Sequence, residues 1–131
     1  SLQDGMSGSS PHSPPLHAVL FDHPFLKGTG VSTLDFAKAM IDEGFHPMTM
    51  YFPLVVSGAM LVEPTESESL ASLDLLIATM RDLAKSAREG DTARFKDAPR
   101  YAPWRRLDET RAARKPVLTY ERHADVAEAA E

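Results

Sequence analysis

Residues 44–68, GFHPMTMYFPLVVSGAMLVEPTESE, constrain the fold of this chain more than any other stretch. They begin with Gly44, a residue that readily ends a helix, and contain two apolar runs separated by Ser57-Gly58. They close on TESE (residues 65–68), where a threonine is followed three residues later by a glutamate, as in a capping box. The stretch therefore predicts short strands joined by a turn and followed by a helix.

Length and composition favour one globular domain. The chain has 131 residues, of which 43% are hydrophobic and 25% charged, close to the average of globular domains. The net charge of -5 offers no broad basic field for nucleic acid or an anionic membrane, and no apolar run reaches the roughly 20 residues of a membrane span. The absence of cysteine excludes disulfides and thiolate metal sites, and it is compatible with the cytoplasmic location that we expect.

Apolar periodicity predicts two helices around the central stretch. Residues 34–43 form the first, capped by Ser32 or Thr33, with one apolar face and one mostly polar face. The apolar face is expected to hold Leu34, Ala37, Met40 and Ile41, and the polar face Asp35, Lys38, Asp42 and Glu43. Residues 66–89 form the second and longest helix, capped by Thr65 and ended by Gly90. Its apolar stripe is expected to contain Leu70, Leu73, Leu76, Ile77, Met80, Leu83, Ala84 and Ala87.

The remaining segments predict short elements. Strands are expected at residues 17–22, 49–52 and 59–63, with one more at 117–120. A helical turn is expected around Phe95 and a short helix through Ala113, ended by Pro116. Residues 1–15 and 121–131 are expected to be a mobile segment and a frayed tail. The prediction is a two-layer α/β (α+β) domain over residues 16–120, with a short, mostly antiparallel sheet packed on helices.

Two side chains near the predicted strands are candidates for chemistry. His46 is either a proton carrier, because histidine titrates near neutrality, or a hydrogen-bonded turn residue before Pro47. Glu63 ends an apolar strand, where a buried carboxylate needs a partner such as Arg105 or Arg106. The acidic residues at 66 and 68 suit either a pair of catalytic carboxylates or the start of the long helix, which is the interpretation that we favour.

Basic residues cluster once, at Arg105 and Arg106 with Arg111, Arg114 and Lys115 nearby. They would either clamp a carboxylate or a partner's acidic surface, or pair with Asp108, Glu109 and the acidic helix start. The neighbouring Trp104 is expected to be a core or interface anchor. The five histidines lack the paired spacing of a zinc site, so we expect no metal.

Two separated blocks resemble the C-terminal part of glycine dehydrogenase (decarboxylating), the P-protein of glycine cleavage. The first is residues 35–68, with its Gly-Phe-His, Thr49 and EPTESE run, and the second is RRLDE at 105–109 followed by AARKPVL at 112–118. The second block is similar to subunit 2 of the two-subunit enzyme. The resemblance implies an aminotransferase-like, fold type I enzyme that depends on pyridoxal phosphate, with this chain as the small C-terminal domain that closes over the cofactor.

The resemblance also implies partners and chemistry. The family decarboxylates glycine bound to pyridoxal phosphate and passes the aminomethyl group to the lipoyl group of H-protein, so the partners are the cofactor-binding large domain, the other subunit and H-protein. The family's Schiff-base lysine lies in a His-Lys-Thr context, which none of the chain's lysines matches (Lys27, Lys38, Lys85, Lys96 and Lys115). The fragment alone is therefore expected to be inert. Candidates for proximity to substrate or cofactor are His46, Thr49, Glu63, Arg105 and Arg106.

Two other hypotheses keep the fold and change the role. The chain is a free-standing binding module, or it is the small domain of another pyridoxal-phosphate enzyme such as an aminotransferase. A gene that continues upstream into a domain with the lysine motif would exclude the binding module. In either enzyme, a domain separated from the large domain exposes an apolar face, which we expect to be open to self-association.

Overall fold

Helices and short strands follow one another along the computed structural model, which describes residues 18–22, 24–64 and 68–118. The elements are β1 (Val19–Phe21), a 3-10 helix (Pro24–Leu26), α1 (Thr33–Asp42), β2 (Thr49–Met50), β3 (Met60–Val62), α2 (Leu70–Arg88), α3 (Thr92–Lys96) and α4 (Glu109–Arg114). This confirms the predicted α+β class. The predicted mobile segment and frayed tail lie outside the described residues.

The three strands form one antiparallel sheet in the order β1-β3-β2. Phe21 pairs with Met60 across β1 and β3, and both side chains are buried in the core. The sequence predicted a strand through residue 52, but β2 ends at Met50 because Tyr51 has a φ of 62°, outside the extended region. Of the predicted strand 117–120, residues 117 and 118 belong to no strand, and the other two lie outside the described residues.

Helix α1 begins with a capping box. The Ser32 hydroxyl accepts a hydrogen bond from the backbone N–H of Asp35, and the Asp35 carboxylate accepts one from the backbone N–H of Ser32. Of the two predicted caps, the structure therefore has Ser32. The prediction that Asp35 lies on the polar face is wrong: its residue is only 3% exposed, because the carboxylate turns back into the cap. Gly44 follows the helix with a φ of 86°, as predicted.

Helix α2 begins later than predicted. Its first residue is Leu70 and its N-cap is Ser69, whose hydroxyl accepts from the N–H of Ser72, so the predicted cap at Thr65 and start at 66 are wrong. Residues 65–67 lie outside the described part of the chain. The C-terminal half of the predicted stripe is in the core, with Met80, Leu83, Ala84 and Ala87 buried. The N-terminal half is only partly covered, because Leu70 is 75% exposed whereas Leu76 is partly buried against the core.

Phe36 is the centre of the core. Its ring is fully buried, meets the Phe25 ring edge-on at 5.5 Å between centroids, and stacks on the Phe95 ring at 6.3 Å. These contacts join the 3-10 helix, α1 and α3. The predicted apolar face of α1 did not include Phe36, because that face was drawn through Ala37 and Met40, which are also buried.

The C-terminal elements are short and mostly exposed. α3 confirms the helical turn predicted around Phe95, and α4 confirms the short helix predicted before Pro116. α4 has no buried residue. Trp104 is 78% exposed, so the interpretation of this residue as a core anchor is wrong, and its role at an interface stays a prediction.

Candidate functional site

Three of the five predicted site residues line one open cleft. His46, Thr49 and Glu63 meet between the segment that leads into β2, the end of β3 and the start of α2, around a volume of about 370 Å³. Leucines at 61, 73 and 76 and Phe45 give the cleft apolar walls, and Glu68 and Ser72 add polar groups at the α2 side. For Glu68 the sequence favoured a role at the start of the helix over a catalytic carboxylate, and the structure places it in the lining of the cleft.

The position of the proton on the His46 ring follows from one hydrogen bond. Nδ1 lies 2.9 Å from the carbonyl oxygen of Pro47, and a carbonyl oxygen only accepts, so Nδ1 carries the proton. In the neutral ring, Nε2 is then the acceptor nitrogen. His46 is therefore hydrogen-bonded to its neighbour, but it does not lie in a turn as predicted, and its ring lines the cleft.

Glu63 is exposed, because the chain leaves the sheet immediately after Val62. The expectation of a buried Glu63 paired with Arg105 or Arg106 is therefore wrong, and neither arginine lines the cleft. Glu63 and Glu68 give the cleft two carboxylates, and no lysine or arginine lies among its lining residues. A cleft of this charge favours an ammonium group over a phosphate or another anion.

Arg106 does clamp a carboxylate, but one of its own domain. Its Nη2 lies 2.9 Å from Oδ1 of Asp35, and Lys96 Nζ lies 2.6 Å from Oδ2. The Arg106 guanidinium also donates to the carbonyl oxygens of Phe95 and Ala98, both at 2.8 Å. The predicted alternative, pairing with Asp108 or Glu109, is replaced by this Asp35 network (Asp35, Lys96, Arg106 and Ser32). The Ser32-x-x-Asp35 spacing was the available signal, since it matches a capping box.

The remaining candidate, Arg105, is exposed and lies outside the Asp35 network. Among the described residues, its guanidinium reaches only the carbonyl oxygen of Arg100, at 3.5 Å, which is the long limit of a hydrogen bond. A second cleft, lined by Asp42, Glu43 and Arg94, is held by internal contacts: Arg94 binds Glu43 at 2.7 Å and Asp82 at 2.9 Å. We assign those contacts to the fold.

The Asp35 network predicts a pH dependence of stability. Burial by itself raises the pKa of Asp35, but hydrogen bonds from Lys96, Ser32 and Arg106 outweigh it and lower the pKa from 3.8 to about 2. Because the pKa is depressed on folding, the resulting stability is present above pH 3.8 and is lost as the pH falls toward 2. The shift corresponds to about 2 kcal/mol.

Urea unfolding of the chain between pH 2 and pH 5 measures this dependence. Asp35→Asn is the reference, because asparagine has the same shape and does not titrate in this range. The stability difference between the two proteins should shrink as the pH falls through the window. A difference that stays constant down to pH 2 would show that the Asp35 carboxylate gains nothing from its ionised partners.

Two kinds of site are not found within the described ranges. No group of three or more His, Cys, Asp and Glu side chains is arranged to hold a metal ion among residues 18–22, 24–64 and 68–118. In the same part of the chain, no helix has the length and apolar character to cross a bilayer.

Comparison with known proteins identifies the family. A family model described as the C-terminal domain of glycine dehydrogenase matches residues 11–103. A probable glycine dehydrogenase (decarboxylating) subunit 2 from Caulobacter vibrioides is 66% identical over 119 residues, which are 91% of this chain and 23% of the relative. Proteins of the same description from Listeria welshimeri and Bacillus licheniformis are each 51% identical over 96 residues, 73% of this chain and 20% of each relative.

These relatives are much longer than the chain, which spans about a fifth of their length. The matched region includes β1 to α3 and every residue of the cleft. The chain belongs to the family of glycine dehydrogenase C-terminal domains.

Proposed function

We propose that this chain is the C-terminal domain of a glycine dehydrogenase (decarboxylating) subunit 2 and acts as one part of that cytoplasmic enzyme. The observation that carries the proposal is the 66% identity to the Caulobacter vibrioides subunit over 91% of the chain. The family description and the relatives' names both specify glycine dehydrogenase, which favours this function over an aminotransferase or a free-standing module. The other parts of the enzyme are a large domain of fold type I and the second subunit, and its partner is H-protein, whose lipoyl group receives the aminomethyl group.

The residues of this chain do not by themselves fit pyridoxal phosphate. The cofactor needs a lysine for its aldehyde and donors for its phosphate, but no lysine lines the cleft, which carries Glu63 and Glu68 instead. Lys85 and Lys96 are already paired, with Glu89 and Asp35. We therefore assign the cofactor to the large domain, and this chain contributes a wall of the site.

The residues that line the cleft indicate what this chain contributes to the site of the reaction. Its carboxylates favour a cationic group, and His46 Nε2 offers an acceptor beside them. Thr49 lies at the edge of the sheet, on β2, and its residue is exposed. We propose that His46, Thr49 and Glu63 face the reactive centre of the large domain and orient the substrate's amino group. Arg106 contributes indirectly, by holding α1 and α3 together through the Asp35 network.

A chimera tests the proposal. The segment of the Caulobacter vibrioides subunit 2 that matches this chain is replaced by the chain, and glycine-dependent CO2 release is measured with the other subunit, H-protein and pyridoxal phosphate. The chimera should be active, because the exchanged segment shares 66% identity over 119 residues. The isolated chain should show neither pyridoxal-phosphate absorbance nor decarboxylation.

Within the chimera, Glu63→Gln tests the cleft. This change should lower turnover of glycine about tenfold, the effect of losing one charge-assisted hydrogen bond. Glu109→Gln is the matched control, because Glu109 is exposed on α4 and does not line the cleft. Activity of the isolated chain, or a folded chimera without activity, would contradict the proposed function. If the two variants were equally active, only the role assigned to Glu63 would be excluded, and the proposed function of the chain would stand.

A further inference from the structure

The segment that joins β2 to β3, residues 51–58 and here called the apolar loop, exposes large apolar side chains and carries no charge. Its sequence is YFPLVVSG. Phe52 is 56% exposed, Leu54 79% and Val55 91%, and none of the three belongs to the core. Large apolar side chains that lie next to one another at a surface typically mark a contact with another protein surface. The apolar loop is therefore a candidate interface.

Hydrogen bonds to α1 hold the apolar loop at both ends. The Tyr51 hydroxyl accepts a hydrogen bond at 3.3 Å from the N–H of Leu34, which lies in the first turn of α1, where amides have no partner within the helix. The Thr33 hydroxyl donates to the carbonyl oxygen of Gly58 at 2.9 Å. The exposed side chains are therefore presented on an ordered backbone, which loses little entropy when it docks.

The backbone of Tyr51 is held in an unfavourable conformation by its surroundings. Its φ of 62° is disfavoured for any residue other than glycine. Its N–H nevertheless donates to the carbonyl oxygen of Ala59 at 2.7 Å, which keeps Tyr51 beside β3. Within the loop, the N–H of Val56 donates to the carbonyl oxygen of Pro53 at 3.0 Å. A strained residue at the start of an ordered, exposed loop indicates that the shape of the loop serves a function.

The length of the relatives indicates what covers the apolar loop. The matched part is 23% of the Caulobacter vibrioides subunit and 20% of the Listeria welshimeri subunit, so about four fifths of each polypeptide lies outside this domain. A surface that is joined covalently to the loop meets it at an effective concentration of roughly millimolar. Uncharged, apolar contacts are typical of permanent interfaces, whereas partners that bind and leave have more polar ones. Covalent attachment and the absence of charge both favour the rest of the same polypeptide as the occupant.

We propose that the apolar loop docks onto the remainder of its own subunit, the large domain, with Phe52, Leu54 and Val55 inserted into an apolar surface there. The inference rests on the proposed function, because it takes this chain as one domain of a subunit 2. Thr49, which lines the cleft, lies on the edge strand β2, two residues before the loop begins. Docking of the loop therefore holds the cleft beside the large domain.

The chain contains no cysteine, so a single introduced thiol reports on the loop. Val55→Cys is placed in the chimera with the Caulobacter vibrioides subunit, and its reaction with a maleimide is followed by mass spectrometry of the peptide that contains it. The folded chimera should react about tenfold more slowly than the denatured chimera, or slower still, because the reagent must wait for the domains to part. Val55 is 91% exposed in this domain, so the domain alone does not give such protection.

Lys27→Cys is the control, because Lys27 is exposed outside the apolar loop. Its thiol should react at similar rates in the folded and the denatured chimera. Equal protection at the two positions, or no protection at position 55, would overturn the assignment of the contact to the apolar loop.

A second pair of variants tests whether the contact is apolar. Combined with Val55→Cys, Leu54→Asp should remove most of the protection, because a carboxylate is costly to bury in an apolar contact. Leu54→Met keeps an apolar side chain of similar size and should preserve the protection. Leu54 is 79% exposed, so neither change should unfold the domain itself. Protection that survives Leu54→Asp contradicts the insertion of this side chain.

The composition of the sample separates this inference from the proposed function. Protection that appears only after the other subunit or H-protein is added would assign the loop to that partner and overturn the proposal. An active chimera in which the thiol of Val55→Cys reacts equally fast in the folded and the denatured state would exclude the docking and leave the proposed function intact. A folded chimera without activity would instead contradict the proposed function, whatever the protection of the loop.

Discussion

Phe36→Ala is expected to lower the free energy of unfolding by about 4 kcal/mol, the typical cost of deleting a fully buried aromatic ring. The Phe36 ring is fully buried and contacts both the Phe25 and the Phe95 rings. Its removal opens a cavity where the 3-10 helix, α1 and α3 meet. Because small domains are stable by only about 5–15 kcal/mol, the variant should be close to unfolded at room temperature.

Urea unfolding followed by circular dichroism measures this loss. Phe52→Ala is the matched control, because the Phe52 residue is 56% exposed and its truncation should change stability by less than about 0.5 kcal/mol. Equal losses in the two variants would mean that the stacked rings are not the centre of the core. The Trp104 signal should change little on unfolding, since that residue is 78% exposed in the folded domain.

Asp35→Ala is expected to lower the free energy of unfolding by about 3 kcal/mol at neutral pH, because it removes the shared partner of a buried ionic network. The Asp35 side chain is 4% exposed and accepts hydrogen bonds from Lys96, Arg106 and Ser32. The Lys96 and Arg106 side chains are 54% and 35% exposed, so water can solvate the two cations when Asp35 is removed. The expected loss of stability is therefore smaller than the largest values for fully buried ion pairs. The N-cap of α1 is weakened at the same time.

The matched control for Asp35 is Asp97→Ala. Asp97 also pairs with an arginine, Arg100, but at 3.6 Å and with 61% of its side chain exposed. Removing an exposed pair of this kind should cost less than about 1 kcal/mol. Thermal unfolding of the two variants compares the losses directly. If Asp97→Ala were as destabilising as Asp35→Ala, the network would have no special part in joining α1 to α3.

The elements of this domain follow closely from local sequence signals. The cap at Ser32, the glycine after α1 and the apolar runs of β1 and β3 were sufficient to predict those elements, because each signal acts within a few residues. The start of α2 was predicted wrongly, because the sequence has two possible N-caps. Thr65 has the Thr-x-x-Glu pattern, but the structure uses Ser69, which directly precedes the helix. Two capping patterns four residues apart are not separable by local rules alone.

The candidate site was only partly predictable. His46 was a candidate because of its chemistry and Thr49 because of the resemblance, but their meeting with Glu63 depends on how β2 pairs with β3. The burial of Asp35 was missed, because partners distant in the sequence complete its surroundings. The exposure of Trp104 was missed as well, because tryptophan is more often found in a core or an interface. Lys96 and Arg106, which pair with Asp35, lie 61 and 71 positions further along the sequence. Helix or strand periodicity in the sequence does not predict ion pairs between residues this far apart.

The uneven burial of α2 has a consequence for how the domain moves. Its C-terminal half is locked by Met80, Leu83 and Ala87, whereas its first residues contact solvent on one side and an open cleft on the other. Backbone amides near Leu73 should therefore exchange with deuterium through local fraying, while those near Leu83 wait for the whole molecule to open. The same helix therefore has a rigid C-terminal half and a more mobile start, and this start forms one side of the cleft that His46, Thr49 and Glu63 line.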